Sequence, residues 1–242
     1  MENKKSTPPR RSPGRPRSID RDRLMDLAEE IVTKEGAAAL TIDALAKAAG
    51  VTVREHTPVD RITADGAVEI QGSQAQYDRV VNVAGPWAVE LLKQSGLPHE
   101  TDLDLVRGSH LLLDRNTKHG MMLTAKTDGR LFFVLPYQGK TLLGTTEVRA
   151  EPDEPVVCSK SESDYLITAY NDAFDNPIGE LDILSTFAGL RPLLKSHKNP
   201  NKATREYKIE QHEKVITVFG GKWTTARSLA KEIAAKANNQ PA

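Results

Sequence analysis

Thr217-Val218-Phe219-Gly220-Gly221-Lys222-Trp223-Thr224-Thr225-Ala226-Arg227 reads as an apolar strand, a turn on two glycines, and a helix that opens with two threonines. Glycine has no Cβ, so the backbone can pass close to another group. A helix start offers unpaired N–H groups and the positive end of the helix dipole. Together these make a surface suited to something flat and electron-rich, and Lys222 adds a cation at the same point.

Working back from that turn, Lys214–Phe219, Arg205–Glu210 and Leu181–Leu190 read as extended chain. Ser161–Phe174 reads as a helix behind the acidic, proline-containing loop Glu151–Pro155. Strands dominate from 105 to 148, at Leu105–Leu113, Arg130–Pro136 and Lys140–Gly144. Tyr77–Ala84 is an apolar strand broken by Gly85-Pro86, and a helix over Trp87–Ser95 should stop at Gly96. Asp65-Gly66 signals a hairpin before Ala67–Gln71, while Val51, Val53, Pro58 and Val59 read as extended. Past the opening turn, a terminal helix is expected from Thr224 to Ala237.

The front of the chain has a different texture. Residues 1–18 read as a disordered basic arm, because residues 1–23 carry Lys/Arg at 4, 5, 10, 11, 15, 17, 21 and 23 against acids at 2, 20 and 22. A helix follows over Asp20–Glu35, with Leu24, Leu27, Ala28, Ile31 and Val32 at helical spacing and Gly36 at its end. Thr41 is placed to cap a second helix carrying Leu45, Ala46 and Ala49, closed by Gly50.

Over all 242 residues, 33 Lys and Arg balance 33 Asp and Glu, so the average charge points to no polyanionic partner. Cys158 is the single cysteine, which excludes an intrachain disulfide and a cysteine-rich metal site; no metal is expected. No apolar run approaches the ~20 residues needed to cross a bilayer, and the basic N-terminus lacks the apolar core of a signal peptide. A cytoplasmic protein is expected, or one that visits the inner face of the cell membrane peripherally.

Two resemblances follow from these motifs. Gly14-Arg15-Pro16 and Thr41-Ile42-Asp43-Ala44-Leu45-Ala46-Lys47-Ala48-Ala49-Gly50-Val51 resemble the start of a TetR-type repressor, which would offer Arg15, Arg17 and Thr41 to DNA. The next helix should enter the major groove. In its place stands Thr52-Val53-Arg54-Glu55-His56-Thr57-Pro58, where Pro58 opposes a helix and Glu55 would repel phosphates. Specific DNA binding is therefore not expected.

Residues from about 50 to 239 resemble the later part of the FAD-dependent glycerol-3-phosphate dehydrogenases, in the D-amino-acid-oxidase-like flavoprotein group. The motifs are Val80-Val81-Asn82-Val83-Ala84-Gly85-Pro86-Trp87, Arg107-Gly108-Ser109-His110, Leu143-Gly144-Thr145-Thr146, Gly189-Leu190-Arg191-Pro192, Thr204-Arg205-Glu206-Tyr207 and the opening turn. The fold implied is mixed α/β: a truncated D-amino-acid-oxidase-like fold, with part of an FAD-domain sheet and an antiparallel substrate-domain sheet behind a two-helix N-terminal segment. The corresponding domains are 1–18 as arm, 19–51 as partial helix-turn-helix, 52–98 with 181–242 as partial FAD-binding unit, and 99–180 as substrate domain.

By resemblance, Val59, Ala84, Gly85, Gly220, Gly221, Lys222, Thr224 and Thr225 contact FAD. His110, Arg191 and Lys222 form the catalytic set, and Arg205 grips the substrate phosphate. From the residues alone, His110 could instead be a structural histidine, and Arg205 could pair with Glu206 or Glu210. The activity implied is oxidation of sn-glycerol 3-phosphate to dihydroxyacetone phosphate, with quinone receiving the electrons; the alternatives are a TetR-like DNA-binding regulator, which lacks its recognition helix, or a nonfunctional fusion. No G-x-G-x-x-G turn occurs in the chain, so weak or absent FAD binding is expected of this polypeptide alone. A complementing chain or a homo-oligomer is the expected partner.

Overall fold

A computed structural model describes residues 21–195 and 206–238. The basic arm at 1–18, with Arg15 and Arg17, lies outside the described residues, and so does Arg205. The chain divides into two compact units between Thr57 and Pro58, a few residues beyond the boundary expected at 51.

The first unit is short and helical. Helix α1 spans Arg21–Glu35. A 3-10 turn at Ala37–Ala39 follows Gly36, whose positive φ of 87° suits glycine. Helix α2 spans Ile42–Ala48, and the Thr41 side chain accepts from the Ala44 amide at 3.1 Å. Among the described residues of this unit Leu27 is the one fully buried side chain. Val51–Asp60 forms neither helix nor strand.

The second unit begins with a three-stranded antiparallel sheet of β1 (Arg61–Ile62), β2 (Ala67–Ile70) and β3 (Ser73–Gln76). Its turn needs Gly66 at φ 94°, where a Cβ would strike the Tyr77 carbonyl. Next come β4 (Val80–Asn82), a 3-10 turn at Gly85–Trp87 and α3 (Ala88–Ser95), which ends on left-handed Gly96. Five strands follow: β5 (Leu103–Leu113), β6 (Met121–Thr124), β7 (Leu131–Tyr137), β8 (Lys140–Gly144) and β9 (Val148–Ala150). Helix α4 spans Lys160–Asn171, β10 Ile183–Leu194, β11 Tyr207–His212 and β12 Val215–Gly220. After a 3-10 turn at Trp223–Thr225, α5 spans Ala226–Asn238.

Two further sheets organise these elements. The larger has the order β10-β5-β8-β7-β6, with β9 paired to β5, and every pair is antiparallel. In the smaller, of order β11-β12-β4, β12 and β4 run parallel. Alternation along β5 and β7 points Leu111, Leu113, Phe132 and Val134 to one face, where they meet Leu166 and Ala169 of α4 in the first core. The second core joins Ile62, Val89, Leu92, Val215 and Phe219, and Leu103 and Leu194 reach it from the ends of β5 and β10.

The differences from the sequence reading have local causes. The strand expected over Tyr77–Ala84 shrinks to Val80–Asn82, because only those residues find partners on β12. Residues 183–194 leave the FAD-binding unit expected over 181–242 and join the larger sheet, since β10 pairs along the whole of β5 from Ile183 opposite Leu113 to Leu194 opposite Leu103. Short strands β6 and β9 carry too little alternation to be read from sequence.

Phe132 is fully buried between the large sheet and α4, so Phe132→Ala should lower the unfolding free energy by about 3–5 kcal/mol in urea denaturation. Leu181→Ala, at a fully exposed position, should stay within about 0.5 kcal/mol in the same measurement.

Candidate functional site

The face of the large sheet turned away from α4 carries a row set by strand register. Phe187 lies opposite His110, His110 opposite Gly144, and Gly144 opposite Phe133. Directly paired residues share a face. The His110 imidazole stacks on Phe187, with ring centroids 4.8 Å apart and planes 6° from parallel. On its other side the ring leans over Gly144, where a Cβ would collide with it.

One step along the strands the same device recurs. Arg191 pairs with Val106, and its guanidinium occupies the space that a Cβ on Gly108 would fill. Two glycines thus let an imidazole and a guanidinium lie against bare backbone. Arg191 donates from Nη2 to Thr145 Oγ1 at 2.6 Å and from Nη1 to the Thr146 carbonyl at 3.2 Å. Burial, and then the Arg191 charge, hold the His110 pKa below its ordinary 6.5, so the ring is neutral at neutral pH. His110 Nδ1 is buried and makes no hydrogen bond among the described residues. A neutral imidazole beside a fixed cation is equipped to take a proton from a hydroxyl while the cation receives the oxygen's charge.

Behind the sheet, the first turn of α4 holds Glu162, only 2% exposed. Its Oε1 accepts from Thr146 Oγ1 at 2.7 Å and from Ser109 Oγ at 2.8 Å. Its Oε2 accepts from the Ser159 amide at 3.1 Å, from Ser159 Oγ at 2.7 Å, and from Arg107 Nε and Nη2 at 3.0 Å each. Burial alone would raise the carboxyl pKa, but the bonds from Thr146, Ser159 and Ser109 outweigh it and bring it from 4.5 to about 2. The sequence reading passed over this residue. The signal was there: Ser159 and Glu162 form a capping box.

The double-glycine turn follows β12. Gly220 and Gly221 take φ of 74° and 98°, and the Gly221 amide donates to the Glu206 carbonyl at 3.2 Å. A Cβ on Gly220 would lie 3.6 Å from the Leu194 side chain, so the end of β10 abuts this turn. Arg191 stands three residues earlier on that strand, about 10 Å along it. Lys222 is exposed, and its carbonyl accepts from the Thr225 amide at 3.1 Å and from Thr225 Oγ1 at 3.2 Å. Thr224 and Thr225 therefore sit in the 3-10 turn, and α5 proper opens at Ala226, later than the sequence suggested.

Val59 and Ala84, distant in sequence, line one groove of about 450 Å³ with Val68, Val81, Trp87 and Leu91. Gly85, at φ 59°, follows Ala84 at the start of the 3-10 turn. The groove lies beside β4, and among the described residues no strand pairs with the edge of β4 opposite β12. Of the residues offered to DNA, only Thr41 is described, and its hydroxyl is engaged as the cap of α2. No group of three or more His, Cys, Asp or Glu among the described residues could hold a metal ion. No described helix is long and apolar enough to cross a membrane.

The sequence model of the FAD dependent oxidoreductase (DAO) family matches residues 19–236. The chain belongs to the FAD-dependent oxidoreductase family. The match begins well before residue 50, so it takes in α1 and α2, which the sequence alone assigned to a repressor-like start. Among curated relatives, D-erythritol 1-phosphate dehydrogenase of Brucella abortus is 34% identical over 75% of this chain and 40% of its own length. Aerobic glycerol-3-phosphate dehydrogenase of Staphylococcus haemolyticus is 32% identical over 81% of this chain and 39% of its own. The chain thus spans about two-fifths of these relatives. The solved glycerol-3-phosphate dehydrogenase of Bacillus halodurans, complexed with FAD, superposes with a TM-score of 0.70 at 25% identity, over 85% of this chain and 44% of that one. The mixed α/β architecture, with its antiparallel and partly parallel sheets, agrees with this FAD-dependent oxidoreductase fold.

Two measurements follow from this geometry. The ionised Glu162 carboxylate stabilises the fold, a contribution complete above pH 4.5 and lost as pH falls toward about 2. Urea unfolding of the wild type should therefore weaken across that interval, and Glu162→Gln should flatten the slope. Gly144→Ala should drive a Cβ into the imidazole and displace it from its place between Gly144 and Phe187, seen as a changed ring-current shift between the His110 and Phe187 signals in NMR spectra.

Proposed function

We propose that this chain carries the substrate-side part of an FAD-dependent dehydrogenase acting on a polyol phosphate, with sn-glycerol 3-phosphate as substrate and dihydroxyacetone phosphate as product. The observation that carries this reading is the neutral His110 imidazole held beside the Arg191 guanidinium on a glycine-bared sheet face. Two relatives act by name on phosphorylated polyols, which supports the substrate class.

The residues present fit part of an FAD molecule. The groove lined by Val59 and Ala84, beside Gly85, suits a flat nucleotide. The left-handed Gly220-Gly221 turn lets backbone approach a planar ring, with Lys222, Thr224 and Thr225 beside it. A glycine-rich pyrophosphate turn is not among the 242 residues, so the chain alone holds FAD weakly and a complementing chain would strengthen binding. When bound, FAD supplies the acceptor for a hydride.

The chain's own groups do the rest. His110 takes the proton from the substrate hydroxyl, and its depressed basicity keeps the ring unprotonated and ready. Arg191, aided by Lys222, stabilises negative charge on the reacting oxygen. Arg205 receives the phosphate through paired charge-assisted hydrogen bonds. Quinone at the inner membrane face is the final acceptor in this reading.

The two tryptophans of the chain flank the two proposed FAD contacts: Trp87 in the groove and Trp223, 85% exposed, after the double-glycine turn. FAD titration should quench their fluorescence, and Trp87→Phe should remove the part that reports on the groove. With excess FAD and an artificial electron acceptor, sn-glycerol 3-phosphate should drive turnover, and His110→Asn should slow it by about 10²–10⁴-fold. Turnover with D-erythritol 1-phosphate in place of glycerol 3-phosphate would reassign the substrate. Absence of both quenching and turnover would overturn the proposal.

A further inference from the structure

We infer that Glu162 is a positioning residue: from behind the large sheet it sets the place of Arg191, and through Arg191 the protonation of His110, with Thr146 as the link. The inference rests on the reading of His110 and Arg191 as the reacting pair, yet its test needs neither flavin nor substrate.

Thr146 is gripped from both sides. Its hydroxyl donates to Glu162 Oε1 at 2.7 Å and accepts from the Ser109 amide at 2.9 Å, so the residue is pinned to β5 and to α4. Its carbonyl is left to receive Arg191 Nη1 at 3.2 Å, while the neighbouring Thr145 hydroxyl receives Nη2 at 2.6 Å. Freed from Glu162, Thr146 would keep its bonds to Ser109, at 2.9 Å and 3.4 Å, and lose the tether to α4 that helps orient both acceptors.

Glu162 itself cannot swing. Ser109 shares Oε1, while Ser159 and Arg107 occupy Oε2. Arg107 also lies 3.8 Å from Glu154, so the clamp reaches the loop before α4. A buried ion pair with this many partners is expensive to desolvate, and well-packed apolar side chains can often replace such a pair without loss of stability. What apolar groups could not supply is the directional acceptor that orients the Thr146 hydroxyl.

The charges around His110 make the idea decidable. Arg191 on β10 is the charge that bears on the ring, while β8 presents Gly144 to it and β10 also presents Phe187. Removing the negative charge of Glu162, if that charge acted only through space, would make His110 harder to protonate. If Glu162 acts by holding Arg191 in place, its removal lets the guanidinium drift and makes His110 easier to protonate. The two effects have opposite signs.

The experiment is an NMR titration of the full chain with labelled histidine, the His110 signal being assigned from His110→Asn. Arg191→Gln should move the His110 midpoint up. Glu162→Gln and Thr146→Val should move it the same way, and Thr146→Ser, which keeps the hydroxyl, should restore the wild-type midpoint. An unchanged or lowered midpoint in folded Thr146→Val would overturn the inference, and so would no rise in Arg191→Gln. Should Glu162→Gln fail to fold, the Thr146→Val and Thr146→Ser pair decides alone. Loss of flavin or substrate binding in the wild type would sink the functional reading and leave this titration standing.

Discussion

The antiparallel pairing of β5 with β10 holds the second unit together and also builds its site. Leu111 and Leu113 anchor β5 in the core under α4, while Leu103 and Leu194 carry the same two strands into the core around α3 and β12. Because the register is continuous past Phe187, His110, Gly108 and Arg191, the imidazole and the guanidinium are neighbours by backbone geometry. A slip of one residue between the two strands would put them on opposite faces.

Opposite faces of one sheet do opposite work. The face toward α4 packs Phe132, Val134 and Leu143 against Leu166 of the helix, and this layer tolerates the α4 carboxylate Glu162 because donors surround it. The other face exposes Phe133, Leu135 and Phe187 in part and keeps two glycines where polar groups must lie flat. Stability comes chiefly from the first face, which buries the larger apolar side chains.

Much of this was legible from residue order. Strand β8 matches the expected Lys140–Gly144, α3 stops on Gly96 as its left-handed geometry requires, and Thr41 caps α2. The segments that escaped were short or edge-placed. Strands β6 and β9 have four and three residues, and β4 is cut to three by how little of β12 lies beside it. In the site, His110, Arg191, Gly144 and Thr145-Thr146 were marked by motif, and Val59 and Ala84 prove to share a groove. Glu162 was missed because a capping glutamate looks the same from sequence whether it faces water or, as here, the back of a sheet.

Residue order by itself determined the periodicities, the glycine breaks, the caps and the set of polar side chains available. Those depend on propensities and local sterics, which act over a few neighbours. Tertiary structure alone decided that β10 runs beside β5, that the guanidinium of Arg191 covers Gly108, and that Glu162 reaches Thr146 from the far side. Such contacts join residues tens of positions apart, and their geometry follows from which apolar faces bury each other, a choice no local stretch of chain contains.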